Sequence, residues 1–303
     1  EIKEILYVEY DSGSGSNRYK LSSSNKDNIV GDGGRVKYSY DATNGHVLTL
    51  NGSNIDFIGW NIDDDLTIAL NGTSTIITDG TGHNNSINCY GNLKFVKASG
   101  ANSAELRAST HGGSPFATSN LTLGSDLYLK PTDTDKAEIT DNPEFVLYNG
   151  YAMTNGQTIN DSQQTPGTVT YTVSGSEKTL TFTNFQGAFG NSTTPVNAIE
   201  TGVVGLKVVL IGDNSITCNY PNTYAFKGIQ NNASIQFVKG GDGCKLTMNM
   251  NTTANPLSFG NGKITYDKLI YSDVNGKIIC EPPAPTMGYN NQKVTLGKTY
   301  TDD

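Results

Sequence analysis

Arginine occurs three times in 303 residues, histidine three times and tryptophan once. Lys and Arg together number 21 against 29 Asp and Glu, a formal charge of −8, and the basic residues form no run. That excludes the basic face with which nucleic-acid-binding proteins hold phosphates, and it argues against an anionic membrane surface as partner. No apolar run approaches the roughly 20 residues of a membrane span. Apolar residues at helical spacing are also missing, so long amphipathic helices are excluded. There is no G-x-S-x-G nucleophile elbow and no H-E-x-x-H metal motif. The four cysteines, Cys89, Cys218, Cys244 and Cys280, form no C-x-x-C pair, which argues against a zinc site. They read as small buried hydrophobes, with a Cys218–Cys244 disulfide as the alternative if their strands stack.

What is abundant is glycine, at 34 residues, together with Asn, Thr, Ser and 16 Tyr. Disordered chains lack β-branched and aromatic residues. Here Ile, Val and Thr recur in short alternating runs punctuated by Gly and Asn, the pattern of many short strands joined by tight turns.

The chain also repeats itself. Val36 in "RVKYSYDATNGHVLTLNGSNI" falls on Val169 in "TVTYTVSGSEKTLTFTNFQG". Leu66 of "LTIALNGTSTI" falls on Leu206 of "LKVVLIGDNSI", an offset of 140. Phe95-Val96-Lys97 falls on Phe237-Val238-Lys239, Leu106 on Leu246 and Leu127 on Leu269. Five blocks in the same order, with offsets drifting only as loops change length, define a two-fold duplication of about 140 residues.

Within each copy, strand-like pieces start near Val47, Leu66, Leu93 and Leu121, and near Thr179, Leu206, Ser234 and Lys263. The step of about 20 to 30 residues is the size of one coil of a parallel β-helix. Leu66, Ile68 and Leu70 point to one side of their strand and Thr67 and Ala69 to the other. One short strand cannot bury its apolar face alone, whereas stacked coils line such residues into an interior column. Gly72 and Gly212 stand where the chain must turn a corner. The expected fold is therefore all-β: a right-handed parallel β-helix, or solenoid, built from two homologous units, the handedness following the general rule for parallel crossovers. Tandem β-sandwiches are the alternative.

The expected organisation is a first unit over 1–142 with an N-terminal leader strand, a second over 143–280, and a proline-rich linker with a C-terminal tail over 281–303. The leaders "EILYVEY" and "EFVLYNGYAMTNG" would cap or join the coil stacks, which otherwise expose unpaired edges. A first residue that is Glu rather than Met suits removal of a signal peptide.

The segments "VKYSYDATNGHVLTLNGSNI", "LTIALNGTSTI" and "SINCYGNLKFVKASG", with their counterparts in the second copy, resemble the secreted β-helical carbohydrate-binding-type and adhesin-like modules of Bacteroides-group gut bacteria. The resemblance covers most of 35–130 and 168–272, and Asp65 to Gly72 and Thr179 to Asn184 fit it closely. Its motifs are strand and corner residues, so what it implies most directly is the fold. It also implies export, an extracellular, cell-surface or periplasmic setting, and glycan binding or adhesion.

Candidate chemistry is sparse. Asp63-Asp64-Asp65 is the one acidic cluster. On a strand only Asp63 and Asp65 share a face, and these two would be the oxygen ligands of calcium, the one candidate cofactor; a solvated turn is the plainer reading. The histidines His46, His83 and His111 read as loop residues. Sugars stack on exposed aromatic faces while amides and hydroxyls take their hydrogen bonds, in mixed apolar and polar sites. The candidate ligand-binding residues are Trp60, Phe57, Tyr90, Tyr220 and Tyr224, with a corner-packing role for Trp60 as the alternative. The expected function is non-catalytic: a secreted or cell-surface interaction protein that binds a glycan or a cell-surface protein, with no nucleic acid and no membrane span. A polysaccharide lyase or glycoside hydrolase of the β-helix type, which would need two carboxylates flanking the scissile bond or a base with bound calcium, is the alternative.

Overall fold

In the computed structural model, described for residues 5–11, 16–78, 82–162, 166–251, 255–274, 277–281, 286–289 and 292–295, every regular element is a strand. The chain divides into two compact units, Glu1–Phe145 and Val146–Asp303.

The first unit contains β1 (Leu6–Asp11), β2 (Ser16–Lys20), β3 (Val36–Asp41), β4 (Gly45–Asn51), β5 (Asn54–Ile55), β6 (Phe57–Trp60), β7 (Leu66–Ile77), β8 (Ile87–Cys89), β9 (Asn92–Lys97), β10 (Ala104–Ser109), β11 (Phe116–Ala117), β12 (Asn120–Leu123), β13 (Tyr128–Asp133) and β14 (Lys136–Thr140). Three parallel ladders run through it. β6, β8 and β11 form one face. The first half of β7 joins β4, β9 and β12 in a second. The second half of β7 joins β5 and β10 in a third. One strand thus serves two faces, bending at Gly72, whose φ of +69° suits a residue without Cβ. Antiparallel strands close the ladders: β1 on β6, β3 on β4 and β14 on β10.

The second unit repeats this plan with β15 (Val146–Tyr148), β16 (Tyr151–Ala152), β17 (Thr158–Asn160), β18 (Thr168–Ser174), β19 (Glu177–Thr183), β20 (Gln186–Phe189), β21 (Ile199–Thr201), β22 (Leu206–Ile211), β23 (Asp213–Cys218), β24 (Phe226–Gly228), β25 (Ile235–Lys239), β26 (Lys245–Met250), β27 (Leu257–Ser258), β28 (Ile264–Asp267), β29 (Ile270–Val274) and β30 (Lys277–Glu281). Its faces are β21–β24–β27, β19–β22–β25–β28 and β20–β23–β26, all parallel, closed by β15, β18 and β30 in antiparallel register. Gly212 bends the chain at φ +67° where Gly72 bends it in the first copy. The duplication thus extends beyond strand order to which strand caps which face. The proline-rich stretch 282–285 lies outside the described residues. In the tail, β31 (Thr286–Tyr289) and β32 (Gln292–Thr295) pair as an antiparallel ribbon.

Both units are therefore parallel β-solenoids and not sandwiches. Leu66, Leu93 and Leu121 stand in register at spacings of 27 and 28 residues. Leu206, Ile235 and Ile264 do so at 29 and 29. Each coil stacks about 4.8 Å from the next, so alternation along one strand becomes a column through the unit. Leu48–Ile68–Phe95–Leu123 is such a column, and Leu180–Val208–Phe237–Tyr266 is its counterpart. Every member but Leu123 and Tyr266, which lie in the terminal strands, is fully buried. Cys89, Cys218 and Cys244 are free and buried, as small hydrophobes are.

Candidate functional site at a corner of the first unit

The ladder positions that bury Leu48 and Leu50 place His46 on the same side of β4, and Tyr38 and Tyr40 on that side of β3, where Tyr40 lies opposite His46. At this end of the hairpin the row runs past the core. Val36 is fully buried and Tyr40 is 63% exposed. Three aromatic rings meet there. His46 lies 4.7 Å from the Tyr40 ring and 4.8 Å from the Trp60 ring, centroid to centroid. The Tyr38 hydroxyl is 2.6 Å from His46 Nδ1, and His46 Nε2 is 3.6 Å from Asp64 Oδ2.

The Tyr38 hydroxyl and Nδ1 share a hydrogen bond whose direction follows the imidazole tautomer: with Tyr38 as donor, the ring hydrogen sits on Nε2, on the side of Asp64. Burial, with a smaller contribution from neighbouring Tyr40, raises the Tyr38 hydroxyl above its ordinary value. Tyr38 therefore keeps its proton and is able to donate to Nδ1.

Trp60 is the floor of this site and not its face. It has no exposed surface, and its Nε1–H donates to the Asp64 carbonyl at 2.7 Å. That bond pins the 61–65 loop over the indole. Gly91 makes room for the loop from the next coil: a Cβ there would stand 2.3 Å from the Asp64 carbonyl oxygen and 2.7 Å from that of Asp63. Tyr90, beside it and 56% exposed, donates its backbone N–H to the Trp60 carbonyl. The corner thus carries Tyr38, Tyr40 and His46 from the hairpin, Asp63 and Asp64 from the loop, and Tyr90 from the coil below.

Of the residues singled out in the sequence, this corner gathers Trp60, Tyr90, Asp63 and Asp65. Trp60 and Phe57 need correction as sugar-stacking surfaces, since both are buried. They point to opposite sides of β6: Trp60 belongs to the interior cluster, while Phe57 faces outward and is covered by His83, stacked on it at 3.7 Å. That second cluster also holds Glu9, whose carboxylate is 2.9 Å from Arg18 and 3.2 Å from His83, and Tyr7 beneath the Arg18 guanidinium. Tyr220 and Tyr224 lie half-buried in the second unit, on the loop between β23 and β24. The Tyr220 carbonyl accepts from Thr223, and the Tyr224 N–H donates to Asn197. Asp65 accepts from the side chain of Asn92 at 2.8 Å and from its backbone N–H. Among the described residues no three His, Cys, Asp or Glu side chains converge in a metal-binding group.

Sequence reasoning missed Tyr38 and Tyr40, and it read His46 as a loop residue where the structure places it on strand β4. The available signal was register: once "VKYSYD" and "GHVLTLN" pair as a hairpin, Tyr40 must oppose His46. The second copy provides an internal control. Its hairpin register puts Tyr171, Val173 and Lys178 where the first has Tyr38, Tyr40 and His46. Thr201, opposite Val146, replaces Trp60, opposite Leu6. Tyr171 is buried and the rest of the constellation is absent, although the ladder columns are kept.

A concavity of about 250 Å3 lies on the outer face of β10, β14 and β13, lined by Glu105, Arg107, Lys130, Glu138 and Asp141 among others. Its charges neutralise each other: Arg107 with Glu105 at 2.6 Å, Lys130 with Glu138 at 2.7 Å, and Asp141 with Lys97 at 2.8 Å. The corner, by contrast, leaves its aromatic face and carboxylates open.

Fold and site together define a duplicated β-solenoid protein with one chemically distinct corner. No family model, curated protein or solved structure matches the chain. Among the described residues no helix is long and apolar enough to cross a membrane.

Proposed function

We propose that the protein is a non-catalytic glycan-binding module of the secreted or cell-surface kind, and that the corner of the first unit is its binding site. The observation that carries this is Tyr40. An aromatic ring 63% exposed, flanked by the hydrogen-bonded pair Tyr38–His46 and by the Asp64 carboxylate 3.6 Å from His46, is what a pyranose needs: an apolar face to stack on and donors and acceptors beside it. The residues around it are spent on holding shape. Trp60 and Gly91 support a loop, and Tyr38 orients His46. The resemblance of the strand and corner motifs to those of exported β-helical modules supports a setting outside the cytoplasm.

A glycan array probed with wild type and Tyr40→Ala tests this. The expected result is a defined set of bound glycans that the variant loses while its unfolding midpoint is unchanged. Retained binding by Tyr40→Ala overturns the site, and new reducing or unsaturated ends in the bound glycans overturn the non-catalytic assignment.

A further inference from the structure

Counted in pairs, the charges of the concavity on β10, β14 and β13 cancel. Counted by atoms, they are not saturated. Arg107 donates through Nε alone, to Glu105 Oε1 at 2.6 Å, and among the described residues nothing accepts from its two terminal nitrogens. The other oxygen of Glu105 accepts from the Thr73 hydroxyl at 3.2 Å, so the guanidinium is anchored on one side and presents an open fork of N–H donors on the other. Glu138 lies opposite Arg107 on β10 and opposite Lys130 on β13, and Lys130 reaches only its Oε2. Asp141 takes both the Lys97 ammonium and the Ala104 N–H on Oδ2, which leaves Oδ1. One cavity thus joins an unused donor fork to unused carboxylate oxygens. The fold does not require this set: register puts Lys245, Thr247, Ile279 and Ser272 of the second copy where the first has Glu105, Arg107, Glu138 and Lys130.

The balance of charge selects the ligand. Glu105, Glu138, Asp141 and Glu144 line the cavity against Arg107 and Lys130, with Lys97 beside Asp141. A simple anion drawn to Arg107 would meet that excess of negative charge, and a simple cation would leave the arginine fork unused. A molecule with both signs a few bonds apart answers both. Phe145, the apolar member of the lining, is buried, so a sugar ring finds no platform to stack on. A volume of about 250 Å3 suits a small molecule and not a polymer. We propose that this cavity binds a free α-amino acid, its carboxylate held by the terminal nitrogens of Arg107 and its ammonium by Glu138 and Asp141. The site shares no residue with the aromatic corner and does not depend on the glycan assignment.

The test uses the whole chain. The common amino acids are screened singly at millimolar concentration for a rise in the unfolding midpoint, which a ligand of the folded state produces. The best of them is then titrated calorimetrically beside its α-amide, which lacks the carboxylate, and its N-acetyl derivative, which lacks the ammonium. The proteins are wild type, Arg107→Gln, Glu138→Gln and Tyr40→Ala. The Arg107 side chain is 60% exposed, so its replacement should leave the midpoint of the unliganded protein in place. The expected result is a defined preference among the amino acids, with binding about tenfold or more weaker for either derivative and for Arg107→Gln. Glu138→Gln should weaken the parent amino acid and leave the N-acetyl derivative unaffected, and Tyr40→Ala should bind as wild type does. No rise in midpoint with any amino acid overturns the proposal. So does an N-acetyl derivative that binds as tightly as its parent, which would make Arg107 a simple anion site. Affinity untouched by Arg107→Gln also overturns it, since the amino acid would then be held elsewhere.

Discussion

Ser74 and Asn214 occupy the same place in the two copies, just past the corner glycines, and each turns its side chain inward to satisfy the backbone of a neighbouring coil. Asn214 does so in both directions: its Oδ1 accepts from the Phe185 N–H at 2.9 Å, and its Nδ2 donates to the Lys245 carbonyl at 3.1 Å. Ser74 reaches only one way, accepting from the Ser53 N–H at 3.2 Å. Both are fully buried, so each bond closes a backbone group that water cannot reach.

Replacing Asn214 with Ala should therefore cost more than replacing Ser74 with Ala. A buried group left without its partner costs roughly 1–3 kcal/mol. Asn214→Ala orphans groups on two coils and is expected to lower stability by about 2–4 kcal/mol, against about 1–2 kcal/mol for Ser74→Ala. Ser53→Ala should be neutral or stabilising, because the Ser53 hydroxyl is buried without a hydrogen-bond partner. Denaturant midpoints of the three variants give the order directly; a Ser53→Ala midpoint well below wild type would contradict it.

The corner glycine Gly72 contrasts with Gly91. At Gly72 the backbone is left-handed but nothing stands within 4 Å of an added Cβ, so Gly72→Ala carries only the conformational cost, about 1–2 kcal/mol. Gly91 has ordinary backbone but no room, since the Asp64 and Asp63 carbonyls fill the Cβ position. Gly91→Ala must push the 61–65 loop off Trp60, and its expected signature is a change in Trp60 fluorescence together with loss of glycan binding. Gly72→Ala should show neither.

The fold was legible in the sequence to a degree that the site was not, and the reason is physical. Stacked coils share one environment, so the columns through Leu66 and Leu206 had to repeat, and five matched blocks recorded them. Face assignment at "FIGW" was harder. Phe57 and Trp60 lie on opposite sides of one strand, yet both are buried, because the outer side is roofed by His83 and bordered by Tyr7. Period-two alternation cannot distinguish that from a strand with one wet face. The site depended on a hairpin register, Tyr40 opposite His46, that places residues close together only once the strands are paired.

Cys218 offers a pH-dependent check on the core of the second unit. Burial pushes its thiol from 9.0 up to about 11, a desolvation effect that hydrogen bonds from Thr223 and Ala198 only partly oppose. A raised pKa means that the folded state holds the proton more tightly. The contribution to stability is complete below pH 9 and is lost as pH climbs from there to about 11. The unfolding midpoint should fall across that window, and less so in Cys218→Ala. Under native conditions near pH 8, Cys89, Cys218 and Cys244, all buried, should resist a thiol-labelling reagent and react when denaturant is added. Prompt labelling of Cys218 in the native protein would contradict the burial on which the shift depends.

Tyr38 gives a test of the site that needs no ligand. Its hydroxyl lies 2.6 Å from Nδ1 of His46, and with Asp64 3.6 Å from Nε2 the expected tautomer carries its hydrogen on Nε2. Tyr38→Phe removes the donor and leaves the ring packing of His46 against Tyr40 and Trp60 in place. Nitrogen chemical shifts of the His46 imidazole should report almost pure Nε2–H in wild type and a mixture of tautomers in the variant, because only the distant Asp64 then biases the choice. The lost hydrogen bond is half-buried, so the stability change should be small, about 0.5–1.5 kcal/mol. Glycan affinity should fall by more than the fold does, since the imidazole beside Tyr40 loses the hydrogen bond that orients it. A wild-type His46 already mixed in tautomer, or a variant indistinguishable from it, would mean that Tyr38 does not orient the ring.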